Sequence, residues 1–463
     1  MAITLDITGI LQAAAFWVSN QGGNNGRKLY FYFYVLLTFV SMVIGNDPVI
    51  LSGTAFLMYY TSAAGLHPLA WLIAEFAATN TASMVLFIGN LTNVVICEGF
   101  QVNNAAFTAY TILPFIACSL ACYAALSFQF RNRKHIPPIL AVSGRLNPRE
   151  ALRDLVSAIF GTILLFTCLI LVIVLSFFFH IDVWEIALPF AVTKVIFDLS
   201  WDHYRFTHGQ LNNLNPTTEL SEEDRVFSQL KRALSMPSDI ENTLASEGAS
   251  RISDSRRASA SGSELEEIVE DIILHGLNDE RISAKTRLFA KFKPLAAHFP
   301  TFFTALPRLP FALIPFVFSQ FILIEGLSHQ GWIDIFATWL VKATHRQVIP
   351  TIWLIGVLGV ILSNVAGTNI GATILLTKVV HAAPDFPASS TRAAAIALAV
   401  ASNIGAVSFT FSASLVGLLW KSILGSKGIS IKQPTFAFWN CLPLLVMTGV
   451  GLGIVTAEMK VLY

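Results

Sequence analysis

Residues 41–60 read SMVIGNDPVILSGTAFLMYY, a stretch long and apolar enough to cross a bilayer, yet with Gly45-Asn46-Asp47-Pro48 near its middle. Lipid offers no partner to an amide, a carboxylate or the backbone groups that a proline leaves free, so these residues need cover from protein or a water-filled cavity. The apolar run around them, 29–64, is too long for a single spanning helix of roughly 20 residues. It reads as a re-entrant hairpin, two half-helices that enter and leave by the same face with the polar residues at the tip. A second run of this kind, 348–382, is interrupted by SNVAGTN.

Around the hairpins the composition is that of a membrane protein: 54% of the 463 residues are hydrophobic and only 13% charged. Further apolar runs long enough to span occur at about 67–97, 105–130, 155–179, 183–202, 302–327, 391–420 and 435–459. The fold class expected is therefore an all-α polytopic membrane protein. A net charge of +1, with no basic patch interleaved with aromatics, gives no support to a nucleic-acid partner. The segment from Tyr204 to Pro300 holds 27 of the chain's 59 formal charges and reads as an aqueous, largely disordered loop.

Basic residues orient the set. Arg27 and Lys28 precede the first hairpin, and RNRKHIPPILAVSGRLNPREALR is rich in arginine, whereas EGFQVNNAA and HIDVWE are poor in Lys and Arg. The positive-inside rule puts the basic connection, 131–154, in the cytosol, and the 204–300 loop on the same side. Within that loop KRALS and RRASAS make Ser235 and Ser259 candidate phosphorylation sites. The start of the chain has an acid and no basic leader, so it does not read as a secretory signal. Plasma and vacuolar membranes both fit the sequence.

The chain repeats itself. VIGNDPVILSGTAFL resembles VAGTNIGATILLTKV, AEFAATNTASMVLFIGNLTNVVICEG resembles ALAVASNIGAVSFTFSASLVGLLWKS, and FTAYTILPF resembles FAFWNCLPL. Asn46 and Asn80 are 34 positions apart, as are Asn369 and Asn403. Counting spans from the basic loops makes the halves inverted, with hairpins from opposite faces meeting at the midplane, the usual build of a secondary transporter.

These segments resemble the ion transporter superfamily, in particular its arsenite/antimonite efflux and citrate-transporter-like members, over most of the chain outside the 204–300 loop. The resemblance matches the family's hairpin tips to Gly45-Asn46-Asp47 and Thr368-Asn369-Ile370, and its helix breaks to Gly89-Asn90-Leu91-Thr92-Asn93 and Ser412-Ala413-Ser414-Leu415. It implies secondary transport of a small inorganic or organic anion or oxyacid by an elevator-type movement, coupled to H+ or Na+, with no other cofactor and no enzymatic activity. The Asn-Asp tip and Gly-Asn-x-x-Asn break stand closer to the arsenite branch than to citrate and dicarboxylate carriers, whose Ser-Asn-Thr tips and Thr-Pro-Pro breaks are absent. A citrate-type carrier is one alternative.

The expected organisation is an interfacial arm at 1–28, a first core at 29–130, the basic connection, scaffold spans at 155–203, the charged loop, a scaffold span and arm at 301–347, and a second core at 348–463. Three scaffold helices of the second half have no counterpart in the first. That suggests a shortened chain, a partner or homodimer supplying the missing helices, or a non-transporting relative that regulates a longer transporter.

The expected binding set is Asn46, Asp47, Asn80, Thr81, Gly89, Asn90, Thr92, Asn93, Thr368, Asn369, Asn403, Ser412 and Ser414, lining one cavity where half-helix N-termini supply N–H donors. Asp47 and Glu75 are the coupling candidates, because a charge at mid-bilayer costs on the order of 3 kcal/mol or more and is kept for function. Glu98, Glu185, Asp198 and Glu325 lie near span ends and read as solvated. The five cysteines form no CxxC pair, and histidines do not cluster with acids, so neither disulfide nor metal site is expected. HExxH and GxSxG are absent.

Overall fold

The computed structural model describes residues 1–140, 146–178, 183–209, 294–309, 311 and 313–462. Among them are eighteen α-helices and no strand. The first part of the chain runs α1 (Ala2–Ile7), α2 (Ile10–Gly22), α3 (Gly26–Ile44), α4 (Asn46–Ala63), α5 (Pro68–Ala82), α6 (Leu91–Phe100) and α7 (Asn104–Gln129). A middle part holds α8 (Pro148–Ala151), α9 (Leu155–Phe178), α10 (Val183–Thr207), α11 (Pro300–Ala305), α12 (Leu313–His329) and α13 (Trp332–Thr344). The last part is α14 (Val348–Val365), α15 (Asn369–His381), α16 (Ala388–Ala406), α17 (Leu415–Ser426) and α18 (Gln433–Leu462). Six helical stretches among the described residues, α3, α7, α14 and α18 included, are long and apolar enough to cross a membrane. Ser235 and Ser259 lie outside the described residues.

Both interrupted runs turn back where their polar residues stand. At Gly45 the backbone takes φ 94° and ψ 169°, a conformation that glycine reaches without a Cβ clash, so α3 stops there and α4 restarts at Asn46 with Pro48 in its first turn. Residues 366–368 separate α14 from α15, whose first turn is capped by Thr368: its Oγ1 accepts from Ile370 N at 3.2 Å. Each apolar run that follows is also divided. α5 gives way to α6 across residues 83–90, and α16 to α17 across 407–414, each gap holding one turn of 3-10 helix. The closing helices α7 and α18 pack along each other and carry Pro114 and Pro443 inside them.

The two sets of elements exchange partners. α4, from the first hairpin, packs on α17, and α15, from the second, packs on α6. Since lipid tails are as apolar as leucine, helices in a bilayer associate chiefly through close packing, and α16 is built for it with the buried, alanine-rich run Ala393–Ala401. A Cβ at Gly405 of α16 would lie 2.7 Å from Ser363 Oγ of α14, so glycine there sets the distance between these helices. Phe76, Trp420 and Phe436 seal the junction of α5, α17 and α18, with the Phe76 ring centroid 5.2 and 5.3 Å from the other two.

Candidate functional site

The two helix breaks are local consequences of short polar side chains. Ser83 follows the last residue of α5, and its Oγ turns back to Asn80 O at 2.7 Å, offering the backbone an alternative to another helical turn. Asn90 then caps α6, its Oδ1 accepting from Thr92 N at 3.3 Å, and Ser414 caps α17, accepting from Gly417 N at 3.0 Å. The irregular backbone between the helices is satisfied from inside the protein: Asn93 Nδ2 donates to Ser83 O and Leu86 O at 2.8 and 2.9 Å, and Phe409 N donates to Asn364 Oδ1 at 2.8 Å.

Asn403, fully buried in α16, ties these parts together. Its Oδ1 accepts from Asn90 Nδ2 at 3.2 Å and lies 2.9 Å from Ser83 Oγ, whose one proton it shares with Asn80 O, while its Nδ2 donates to Asn93 Oδ1 at 2.8 Å and to Ala399 O at 2.9 Å. The Asn403–Asn93 bond joins residues 310 positions apart. A weaker extension runs from Asn369 Nδ2 to Ser402 O at 3.4 Å and from Ser402 Oγ to Thr92 Oγ1, also at 3.4 Å. The N-termini of α6 and α15 therefore converge on the end of α16, bringing their partial positive charge to one region.

The other expected residues are placed differently. Asn46 is buried and Asp47 half-buried at the start of α4. Gly89 is packed so tightly on Ser83 O that a Cβ would come within 2.4 Å. Thr81 Oγ1 bonds Ala77 O and lies 3.3 Å from Met447 Sδ of α18. Asn80 donates to Phe76 O at 2.8 Å, its buried Oδ1 lacking a hydrogen-bond partner among the described residues. Ser412 is exposed.

Glu75 stands apart from the Asn403 junction. It is fully buried in α5; Thr54 Oγ1 of α4 donates to its Oε2 at 3.0 Å, and Oε1 has no hydrogen-bond partner among the described residues. The Trp420 indole approaches the same carboxyl without completing a hydrogen bond of full geometry. Gly53 makes the room, since a Cβ there would lie 2.4 Å from Oε1.

Several polar residues of this core were not singled out by the sequence reading. Ser83, Ser402, Thr54 and Trp420 are among them, as is Asn440, fully buried in α18 with neither side-chain amide atom hydrogen-bonded among the described residues. Asn440 aligns with Thr111 in the repeated FTAYTILPF/FAFWNCLPL segment, so the repeat itself carried that signal. The solvated reading of Asp198 is overturned. Asp198 is buried in an ion pair with Lys194, and Ser157 of α9 bonds both, accepting from Lys194 Nζ at 3.0 Å and donating to Asp198 Oδ1 at 3.1 Å. The i,i+4 spacing of Lys194 and Asp198 on α10 makes the burial tolerable, because each ion brings its counter-charge on the same helix. Glu98, Glu185 and Glu325 are exposed, Glu325 in an ion pair with Lys378 of α15.

Residues 1–203 match the citrate transporter family model. The chain is 29% identical over 157 residues to an arsenical pump membrane protein of Escherichia coli, covering 33% of this chain and 36% of that protein. In these segments the chain is similar to citrate- and arsenite-type transporters. A second Escherichia coli arsenical pump membrane protein is 29% identical over 173 residues, covering 37% and 40%, and one from Yersinia enterocolitica is 28% identical over 157 residues, covering 33% and 36%. The chain thus spans 36 to 40% of the length of these curated relatives. With six helical stretches among the described residues long and apolar enough to span, and this similarity, the protein is an integral, multi-pass membrane protein.

Proposed function

We propose that this chain forms the core of a secondary transporter for a small inorganic or organic anion or oxyacid, with arsenite-type substrates favoured over citrate. The observation that carries this reading is the Asn403 junction, where a residue of α16 holds the break before α6 and the N-terminus of α6, 310 positions away, in one hydrogen-bonded centre. A small oxyacid presents hydroxyl donors and oxygen acceptors together. Asparagine amides supply both, and helix N-termini favour any negative charge it carries. The two hairpins would enter from opposite faces, and an elevator movement of this core against α9, α10 and α12 would expose it alternately to each side.

Coupling to H+ or Na+ fits Glu75 better than Asp47. A buried carboxyl with one hydroxyl donor and one unpartnered oxygen keeps its place only by carrying a proton or a cation. Asp47 stands at the tip and is less deeply buried.

The test is flux in proteoliposomes containing the purified chain. Arsenite or antimonite should move faster than through empty vesicles, citrate should not compete, and Asn403→Ala or Asn93→Ala in folded protein should abolish the difference. Flux unchanged in both variants would refute the site. A folded parent protein with no flux would point to the regulatory relative.

A further inference from the structure

Five basic side chains, Arg27, Lys28, Arg131, Arg133 and Lys134, lie on two segments that the backbone joins through Leu140 N donating to Asn24 O at 2.7 Å. Among the described residues none of the five pairs with an acid, whereas Arg205 pairs with both Asp154 and Asp202. Between the start of α3 and the end of α7 the structure leaves a cavity of about 160 Å³ lined by Arg27, Arg131, Tyr30, Tyr123, Ser127 and Ile136. Arg131 is held over the Phe128 ring, its Cζ 5.0 Å from the centroid.

Ser127 gives the cavity a direction. A helical serine or threonine ordinarily commits its hydroxyl to the carbonyl one turn back, as Thr111 of the same helix does with Phe107 O at 2.8 Å. The buried Ser127 Oγ has no such partner among the described residues. Two guanidinium groups, a spare hydroxyl and the N-terminus of a 19-residue helix together make a site for a group with several anionic oxygens.

The surfaces leading away from the cavity say what carries that group. Phe31, Val35 and Phe39 stand exposed at i, i+4 and i+8 on α3, and Leu113, Ile116 and Leu120 at i, i+3 and i+7 on α7. These are stripes along helices long enough to cross the bilayer, with the basic cavity at one end of α3 and at the opposite chain end of α7. We propose that this cavity binds the phosphate headgroup of an anionic phospholipid, Arg27 and Arg131 holding the phosphoryl oxygens and Ser127 donating to one of them, with the acyl chains lying along the apolar stripes. The inference stands apart from the transport reading, since none of these residues belongs to the Asn403 junction.

The test uses the full chain in detergent, titrated with phosphatidylglycerol, phosphatidylcholine, glycerol phosphate or inorganic phosphate, and read by native mass spectrometry and thermal unfolding. Phosphatidylglycerol should bind one to one and raise the unfolding midpoint, with phosphatidylcholine doing neither. Arg27→Gln with Arg131→Gln should weaken phosphatidylglycerol about thirtyfold, each arginine contributing about fivefold. Arg133→Gln with Lys134→Gln removes the same charge outside the cavity and should weaken it far less. Should the arginine pair prove necessary for folding, Ser127→Ala carries the test, with an expected loss of about fivefold. Equal effects of the two double variants, or equal binding of phosphatidylcholine, would overturn the proposal. So would inorganic phosphate or glycerol phosphate binding as tightly as the lipid, which would assign the cavity to a free phosphate.

Discussion

Replacing Asn403 by aspartate exchanges an amide nitrogen for an oxygen and should damage the core more than removing the side chain does. In the parent protein Asn403 Nδ2 donates to Asn93 Oδ1 at 2.8 Å. In Asn403→Asp two acceptor oxygens face each other across that distance. The Asn93 amide cannot relieve the clash by turning over, because its own Nδ2 is committed to Ser83 O and Leu86 O, and a flipped amide would lose both bonds. The expected cost is about 3–5 kcal/mol for an uncompensated charge in this buried setting, against about 1–3 kcal/mol for Asn403→Ala, which strands Asn93 Oδ1 but brings no charge. Asn90 is half-buried and recovers a partner from water, so it adds little. Thermal unfolding of both variants in detergent gives the order, and proteoliposome flux gives the functional consequence. Acidic buffer supplies an internal control: the introduced carboxyl regains a donor once protonated, so Asn403→Asp should recover much of the lost stability, whereas Asn403→Ala should not respond. If Asn403→Asp proved as stable as Asn403→Ala at neutral pH, the reading of this junction would be refuted.

Other consequences can be checked in the same preparations. Glu75→Gln preserves shape and removes the titration, so flux should persist down a substrate gradient and stop following an imposed pH or sodium gradient; Asp47→Asn should leave coupling in place, and the reverse pattern would move the role to Asp47. Gly53→Ala should destabilise the fold by about 1–3 kcal/mol through the collision of its Cβ with Glu75 Oε1, and much less beside Glu75→Ala, where the colliding atom is gone. His135, outside the spans, is held below its ordinary 6.5, first by burial and then by His67 and Lys134. Its contribution to stability should be whole above about pH 6.5 and decline as pH falls toward the lower folded value, because the unfolded chain takes up the proton first. His135→Phe, which keeps a ring against Trp439 and Phe130, should flatten that slope in thermal unfolding measured across pH.

The parts of the fold that could be read in the sequence are those whose cause is local. Gly45 and Pro48, or Asn90 and Ser414 as caps, act on the backbone within one turn, and their position in otherwise apolar runs marks where the helices stop. What each break then touches is set by packing between segments hundreds of positions apart. The sequence pointed to Asn90, Asn93 and Asn403 as polar residues at membrane depth, but nothing local states that Asn403 holds the first break. Ser83 and Ser402 escaped notice because a small hydroxyl residue beside alanines also fits plain helix packing. The carboxyl of Glu75 was visible, but Thr54 and Trp420, from α4 and α17, were not. Asp198 was misread because nearness to a span end suggested water, when its partner Lys194 stood one helical turn away.

The exchange by which α4 packs on α17 and α15 on α6 has a consequence for how the molecule is made. When about the first hundred residues have left the ribosome, α4 still lacks α17 and α6 still lacks α15 and α16, which are complete only after roughly 280 to 330 more residues have been synthesised. A chain clasped in this way is assembled late, like two hands that can lock only once both are present. The first hairpin must therefore wait in the membrane with an open flank, exposed to quality control for as long as translation lasts. A premature stop before residue 348 would leave an orphan marked for degradation rather than a smaller working part. The two halves made as separate polypeptides should each be short-lived alone and protect one another when synthesised together.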